Sequence, residues 1–275
     1  MVGAKGTIAV VFTEESLKSF DILSGRVFMN ITSIHPVGQI GQNSLLASYQ
    51  DTVLCNSKKD ENSLNVIDVN QSKVLRSFVV FDSEDDDNFL NLTDIAMRQA
   101  NEVIVAKKMR VDLYNVQDGT KIKSIRCKVD DWISHMSILP ESDQLAFPKR
   151  NNVSLLNLST EERREVSDPS DYISRTLLAA EDVIVTSGGD NVVRIWDLTR
   201  KDINRQTGKI ETLLHVYALP TDSRHIITVG RLGKLLHDLR FSNDTDVQSL
   251  AIINDKLALT SHIDTSNIVV WNLVI

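Results

Sequence analysis

Short runs of apolar and β-branched residues recur along the chain, most of them five to seven residues long and bounded by Gly, Asn, Asp or Ser. Turn signals come every 8 to 12 residues. This spacing is typical of antiparallel strands, whereas an amphipathic helix would place its apolar residues with a period of about 3.6 over a longer stretch. The pattern therefore predicts an all-β protein with almost no helix.

A large side chain followed by Asp or Asn occurs seven times, at regular distances. The pairs are Phe20-Asp21, Ile67-Asp68, Tyr114-Asn115, Leu156-Asn157, Trp196-Asp197, His237-Asp238 and Trp271-Asn272. Successive pairs are 47, 47, 42, 40, 41 and 34 residues apart. Such a period is that of a propeller blade made of four short strands. The repeat predicts a seven-bladed β-propeller of four-stranded antiparallel blades, formed by a single domain over residues 1–275.

Each pair lies in a run that we assign to the third strand of its blade. The motifs end at Ile22, Val69, Val116, Leu158, Leu198, Leu239 and Leu273. The apolar runs upstream are assigned to second strands: TIAVVF, LLASY, EVIVAKK, QLAFPKR, DVIVTSGG, HIITVGR and KLALTSH. Runs after the motifs, among them SGRVFMNI, QSKVLRSFVV, DGTKIKSIRC and TGKIETLL, are assigned to fourth strands. First strands are LTDIAM, SHMSIL, SRTLLAA, LLHVYAL and VQSLAII.

The fifth repeat, which contains GGDNVVRIWDL, resembles the WD-repeat β-propeller family. In that family a hydroxyl residue of the second strand, an Asp of the next turn and a Trp of the third strand form a hydrogen-bonded network. The resemblance implies these roles for Thr186, Asp190 and Trp196, although no His precedes the first strand to complete the network. The seventh repeat supplies Ser261, Asp264 and Trp271 at matching positions. The other five repeats replace the Trp.

The glycines and carboxylates of this stretch are therefore interpreted as architecture and not as a phosphate loop or a catalytic site. Gly188 and Asn191 suit a tight turn, and Trp196 fills the space between blades. Asp197 is placed to accept backbone hydrogen bonds where the third strand turns into the fourth.

The chain ends supply less sequence than a complete ring of blades requires. Only 19 residues precede Phe20 and four follow Trp271. We expect the first blade to lack its first strand and the last blade its fourth, and we expect the sequence to be part of a longer protein. A second resemblance, to the C-terminal propellers of NACHT-type signalling ATPases, implies a sensor or autoinhibitory cap.

Composition limits the classes of partner. The chain has 30 Lys and Arg against 37 Asp and Glu, a net charge of −7 that opposes nucleic-acid binding. Only Cys55 and Cys127 occur, the N-terminus lacks a secretory signal, and no apolar run approaches the length of a membrane span. These features predict a cytoplasmic protein that binds neither nucleic acid nor membrane.

No catalytic, cofactor-binding or metal-binding residue is predicted. VGRLGKLL lacks the spacing and the hydroxyl of a phosphate loop, and the six histidines share no metal-ligand spacing. His215 and His237 are interpreted as packed core residues. Neither Cys55 nor Cys127 has the neighbours of a reactive thiol, and no G-x-S-x-G elbow is present.

The segment FDSEDDDNF is the one compositional anomaly. Its carboxylates are Asp82, Glu84, Asp85, Asp86 and Asp87. Two interpretations remain open: a solvated rim loop, or a docking site for a basic partner protein. The basic run from Lys107 to Arg110 is too short for nucleic-acid recognition, and the mixed-charge turn from Thr160 to Val166 is interpreted as solvated surface.

Rigid repeat folds with variable surface loops suit protein binding. The sequence therefore favours a non-enzymatic interaction module, a scaffold or sensor whose partners are other proteins or other domains of the same longer chain. The alternative is a propeller-fold enzyme with its site at the central mouth.

Overall fold

The structure is a computed structural model, and it describes eighteen stretches of the chain. They are residues 8–12, 16–21, 24–32, 46–56, 63–80, 92–107, 109–127, 133–139, 142–167, 173–180, 183–188, 193–198, 202–206, 213–218, 226–230, 247–254, 257–262 and 265–272. All elements in these stretches are β-strands, and none is a helix. The prediction of an all-β protein is confirmed.

The first half of the chain forms three antiparallel sheets, each built from strands that are consecutive in sequence. Sheet 1 contains β1 (Ile8–Phe12), β2 (Leu17–Asp21) and β3 (Val27–Ile31). Sheet 2 contains β4 (Leu46–Tyr49), β5 (Thr52–Asn56), β6 (Ser63–Asp68) and β7 (Lys73–Val79). Sheet 3 contains β8 (Leu92–Gln99), β9 (Glu102–Lys107), β10 (Arg110–Asn115) and β11 (Lys121–Arg126).

The second half repeats this arrangement in four further sheets. Sheet 4 contains β12 (Ser137–Ile138), β13 (Gln144–Lys149), β14 (Asn152–Asn157) and β15 (Arg163–Ser167). Sheet 5 contains β16 (Ile173–Ala180), β17 (Val183–Gly188), β18 (Val193–Asp197) and β19 (Asp202–Gln206). Sheet 6 contains β20 (Leu213–Ala218) and β21 (Ile226–Gly230), and sheet 7 contains β22 (Val247–Asn254), β23 (Leu257–His262) and β24 (Thr265–Asn272).

The repeated Asp or Asn has the same strand register in six of the seven sheets. In each it pairs with the first residue of the preceding strand. The pairs are Asp21 with Ile8, Asp68 with Thr52, Asn115 with Glu102, Asn157 with Gln144, Asp197 with Val183 and Asn272 with Leu257. Six of the seven motifs therefore lie on the predicted third strands. The motif of the sixth repeat lies outside the described residues.

Two of the predicted strand assignments are wrong. The run LLASY is the first strand of its sheet, β4, because the chain turns at Gln50 and Asp51 and TVLCN follows as the second strand, β5. In sheet 5 the fourth strand is β19, DINRQ, and not TGKIETLL. The end of TGKIETLL already belongs to β20, the first strand of sheet 6.

Sheet 2 is covered on both faces. Side chains on one face of sheet 2 pack with sheet 1 in a core of Val10, Leu17, Met29, Val53, Cys55, Ile67 and Val69. Those on the opposite face pack with sheet 3 in a core of Ala47, Leu54, Leu64, Val66, Phe78, Val80, Ile95, Met97, Val103, Val105, Tyr114 and Val116. Consecutive sheets therefore stack face to face, and their middle strands are apolar on both sides, which explains runs such as EVIVA.

The same stacking occurs in the second half of the chain. Sheets 4 and 5 share a core of Ala146, Val153, Leu155, Ile173, Leu178, Ile184, Trp196 and Leu198. By their packing the residues divide into two compact units, Met1–His135 and Met136–Ile275. The prediction of one domain over residues 1–275 stays a prediction.

Candidate functional site

The turn that follows the motif strand repeats in sheets 1 to 4. The Oδ1 atom of the motif Asp or Asn accepts backbone N–H groups of the turn, for example from Ser24 to Asp21 at 2.7 Å and from Gln117 to Asn115 at 2.7 Å. Asp68 and Asn157 accept in the same way. The sequence indicated this capping role for Asp197, whose side chain is outside the described part.

Four residues after each capping residue, the backbone has a positive φ angle. These residues are Gly25 at 69°, Ser72 at 54°, Gly119 at 74° and Glu161 at 61°. Only two of the four are glycine, so Ser72 and Glu161 hold a conformation that costs an L-residue free energy. The recurrence of this geometry defines the repeat more sharply than its sequence does.

Thr186 and Trp196 are in direct contact in sheet 5. The Trp196 Nε1–H donates to Thr186 Oγ1 at 3.0 Å, and both side chains are buried. The indole therefore fills the core between sheets 4 and 5 while its one polar group is satisfied inside the sheet. Asp190, the third residue of the predicted network, lies outside the described residues.

The second predicted network can be followed only in its backbone. Ser261 pairs with Ile268, and Trp271 pairs with Ala258, so both residues lie on neighbouring strands of sheet 7. Asp264 lies outside the described residues. The roles of Ser261, Asp264 and Trp271 stay a prediction.

Asp112 is the most deeply buried carboxylate in the described part of the chain, and no role was predicted for it from the sequence. It is fully enclosed in β10, and Lys107 Nζ lies 2.7 Å from its Oδ2. Arg110 Nε lies 3.1 Å from Oδ1, which also accepts the hydroxyl of Ser124 at 2.6 Å. Lys107 and Arg110, the two ends of the basic run, are therefore ion-pair partners of a buried carboxylate. The sequence signal that could have indicated this cluster is a carboxylate inside the apolar run VDLY.

Asn65 occupies the same position in sheet 2 as Asp112 in sheet 3, two residues before the motif's large side chain. Its Oδ1 accepts the hydroxyl of Ser77 from the fourth strand at 2.6 Å, as Asp112 accepts that of Ser124. Asn65 also pairs with Cys55 across the sheet. Burial raises the pKa of the Cys55 thiol to about 12, and the hydrogen bond with Asn65 opposes this only in part. Cys55 is therefore a neutral core thiol and not a nucleophile.

The equivalent position is polar and buried in two more sheets, as Ser154 and Arg194. A polar residue at this position thus recurs on the face that carries the motif's large side chain. In sheets 2 and 3 its oxygen is held by a side chain of the same sheet. In Asn65 and Asp112 this pairing offsets the cost of burying a polar group.

The chemistry available to the described residues is limited. Within the ranges given above, no group of three His, Cys, Asp or Glu side chains is arranged to hold a metal ion. The described residues also contain no helix that is long and apolar enough to cross a membrane. His135 is buried beside Ser134, whose hydroxyl lies 3.3 Å from Nδ1.

The remaining predicted residues fall largely outside the described part. Asp82, Glu84, Asp85, Asp86 and Asp87 are outside it, and so is His237. His215 lies on β20, and only its backbone is described. The mixed-charge segment from Thr160 to Val166 is only in part a solvated turn. Glu161 and Glu162 are exposed in the turn, whereas Arg163 to Val166 belong to β15 and Val166 packs against the core of sheets 4 and 5.

Comparison with known proteins adds no assignment. The chain matches no protein-family model, and no curated protein is significantly similar to it.

Proposed function

We propose that the seven sheets are blades of a WD-repeat-type β-propeller, and that the protein is a non-enzymatic interaction module, a scaffold or sensor in a larger cytosolic assembly. The observation that carries the proposal is the recurrence of one blade geometry. The motif register is the same in six sheets and the capped turn is the same in four. A fold made of near-identical units supports function through its surface loops and strands.

The buried polar groups support the same proposal. Three pairs of polar groups form contacts between strands: Thr186 with Trp196, Asp112 with Lys107, and Asn65 with Ser77. A partner would therefore meet the exposed turns and outer strands. Such surfaces bind macromolecules through many contacts and need no reactive group.

The acidic segment from Asp82 to Asp87 is the first surface that we propose for a partner. Five carboxylates within six residues give a local charge that would speed association with a basic protein and make binding salt-sensitive. In the chain this segment follows β7, the last strand of sheet 2.

The experiment is an affinity capture of partner proteins on the immobilised full chain at low and moderate salt, with captured proteins identified by mass spectrometry. The variant Asp85→Lys, Asp86→Lys, Asp87→Lys is compared with the corresponding triple change to Asn. We expect a basic protein that the wild type retains, that the Asn variant retains weakly, and that the Lys variant and moderate salt release.

Glu162→Lys is the matched control, because it reverses charge on an exposed turn of sheet 4. It should leave capture unchanged. Equal capture by the wild type and all three variants would remove the acidic segment from the proposal. Substrate turnover by the purified chain that is lost on a single His or Asp replacement would overturn the non-enzymatic role itself.

A further inference from the structure

The last strand of each of sheets 1, 2 and 3, which we call its outer strand, contains a β-bulge at the same position. The register skips one residue on β3, β7 and β11, and the residues skipped are Phe28, Leu75 and Ile122. Each lies 47 residues after the previous one. A bulged residue is left unpaired in the ladder, and its side chain is directed differently from those of its neighbours.

These three side chains, which we call the bulge row, are large, apolar and exposed. Phe28 is 47% exposed, Leu75 41% and Ile122 51%. All five exposed large hydrophobic residues of the described chain lie on the same three strands: Val27, Phe28, Leu75, Val79 and Ile122. Single exposed apolar residues are ordinary, but three at equivalent positions of consecutive sheets are a repeated feature of the surface.

Two contacts join the turn of one sheet to the outer strand of the sheet before it. The hydroxyl of Ser72, in the turn before β7, donates to the carbonyl oxygen of Phe28 at 3.2 Å. The equivalent turn residue before β11 is Gly119, where an added Cβ would lie 2.5 Å from the Cβ of Phe78 on β7. In sheets 2 and 3 the turn before the outer strand therefore contacts the outer strand of the preceding sheet, which brings the bulged strands of the three sheets to the same side of the stack.

The three strands that carry the bulge row are basic, although the exposed Asp118 of the turn before β11 is close enough to Arg76 for the two charges to attract. The strands β3, β7 and β11 contain no Asp or Glu and carry Lys73, Arg76, Lys121, Lys123 and Arg126. Arg26 precedes β3, and its guanidinium carbon lies 5.7 Å from the centre of the Phe28 ring. This composition contrasts with the net charge of −7 of the whole chain.

The corresponding positions of sheets 4 and 5 are not apolar. Arg164, seven residues after Asn157, corresponds to Ile122, seven residues after Asn115. Its guanidinium donates to the carbonyl oxygen of Leu198 at 2.7 Å. In sheet 5 the skipped residue is Asn204. Among sheets 1 to 5, the bulge row is therefore limited to sheets 1, 2 and 3, as expected of a local binding surface and not of a requirement of the repeat.

We propose that the bulge row and its basic border form a docking surface for an acidic segment of a partner protein that carries large apolar side chains. The apolar side chains of the partner cover Phe28, Leu75 and Ile122, and its carboxylates pair with the surrounding Lys and Arg. Lysine on an edge strand also hinders unwanted strand pairing, but that role requires no exposed Phe, Leu or Ile. The inference rests on the proposed interaction function and assigns it a second surface, opposite in charge to the acidic segment.

The test uses the full chain and three fluorescent 20-residue peptides. The first contains Asp, Glu and Leu, the second has Ser in place of Leu, and the third has Lys in place of the acidic residues. Fluorescence anisotropy is measured at low and moderate salt. We expect binding of the first peptide only, weakened by salt because charge pairing contributes to it.

The triple variant Phe28→Ser, Leu75→Ser, Ile122→Ser should weaken binding of the first peptide by about tenfold or more. The control is Val79→Ser, which removes a side chain of similar exposure from the far end of β7 and should change the affinity by less than about twofold. Lys73→Glu with Lys123→Glu should weaken binding and flatten its salt dependence. Thermal unfolding verifies that each variant is folded, and the three single Ser variants replace the triple variant if it is not.

Absence of binding of the first peptide to the wild type would overturn the docking surface, as would equal weakening by Val79→Ser. Binding of the Ser peptide with the same affinity would show that charge alone acts and would overturn the role of the bulge row. The capture experiment on the acidic segment is independent of these outcomes, so a failure here leaves the proposed function standing.

Discussion

The indole N–H of Trp196 donates to the hydroxyl of Thr186 at 3.0 Å across two strands of sheet 5, in a buried position. Removal of the Thr186 hydroxyl leaves the buried indole N–H of Trp196 without this acceptor. We expect Thr186→Val to lower the free energy of unfolding by about 1–3 kcal/mol. Urea denaturation measures the change.

Thr186→Ser retains the hydroxyl and should cost less than the Val variant. Trp196→Phe removes the indole N–H together with some packing volume. If the hydrogen bond couples the two sites, the double variant Thr186→Val, Trp196→Phe costs less than the sum of the single variants. Strict additivity would contradict the coupling.

Asp112 provides the second prediction. Asp112→Ala leaves Lys107 buried without its carboxylate, so we expect a loss of about 3–5 kcal/mol in urea denaturation. Glu165→Ala is the matched control, because Glu165 pairs with Lys149 at 3.1 Å but is 39% exposed in its side chain. That pair should contribute no more than about 1 kcal/mol. Equal losses for the two variants would contradict the internal role of the Asp112 cluster.

Two glycines in equivalent turns differ in what surrounds them, which gives the third prediction. Gly25→Ala introduces a side chain at positive φ into open space and should cost about 1–2 kcal/mol. Gly119→Ala has the same backbone cost and also drives a Cβ against Phe78, which should add about 1–3 kcal/mol. Thermal or urea unfolding compares them. A Gly25 variant as unstable as the Gly119 variant would mean that sheets 2 and 3 do not meet at this turn.

The two cysteines should differ in thiol reactivity. Cys55 is fully buried, and burial raises its pKa to about 12, whereas Cys127 is partly exposed. We expect Ellman's reagent at pH 8 to titrate Cys127 in the native protein and Cys55 only after unfolding. In the Cys127→Ser variant no thiol should react before unfolding. Rapid reaction of Cys55 in that variant would contradict its placement in the core.

The raised pKa of Cys55 also sets the sign of a pH effect on stability. The folded state favours the protonated thiol. The stabilisation that results is therefore fully present below the ordinary pKa of 9.0 and is lost as the pH rises toward the folded-state pKa of about 12. Replacement of Cys55 by Ala should remove this part of the alkaline loss of stability. Urea denaturation at pH 8 and pH 10 compares the two proteins.

The sequence predicted the strands best where the repeat itself carried the signal. The large residue followed by Asp or Asn located the third strands, because that Asp or Asn caps the turn that follows, as Asp21 and Asn157 do. The assignment failed at LLASY, since β4 and β5 are both apolar and only Gln50 and Asp51 separate them. Strand order could not be read from two adjacent apolar runs.

The bulge row and the Asp112 cluster were not predicted from sequence for a different reason. Both depend on which side of a strand a residue occupies, and a one-residue bulge at Phe28 or Ile122 changes that side without a clear signal in the sequence. In the sequence Lys107 and Arg110 are simply basic residues of a hairpin, and their contacts with the buried carboxylate of Asp112 are evident only in the structure.

We propose that the repeated sheets are the blades of a closed propeller, and the distance between sheets 1 and 7 distinguishes a closed ring from an open stack. Spin labels are introduced at Asn30 on β3 and Ser266 on β24, in a background with Cys127→Ser. Face-to-face sheets lie about 10 Å apart, so seven sheets in an open stack would separate the outer two by roughly 60 Å. A closed ring makes sheets 1 and 7 neighbours. For the closed ring we expect a pulsed-dipolar distance of about 20–40 Å including the labels, and a distribution centred near 60 Å or beyond would contradict ring closure.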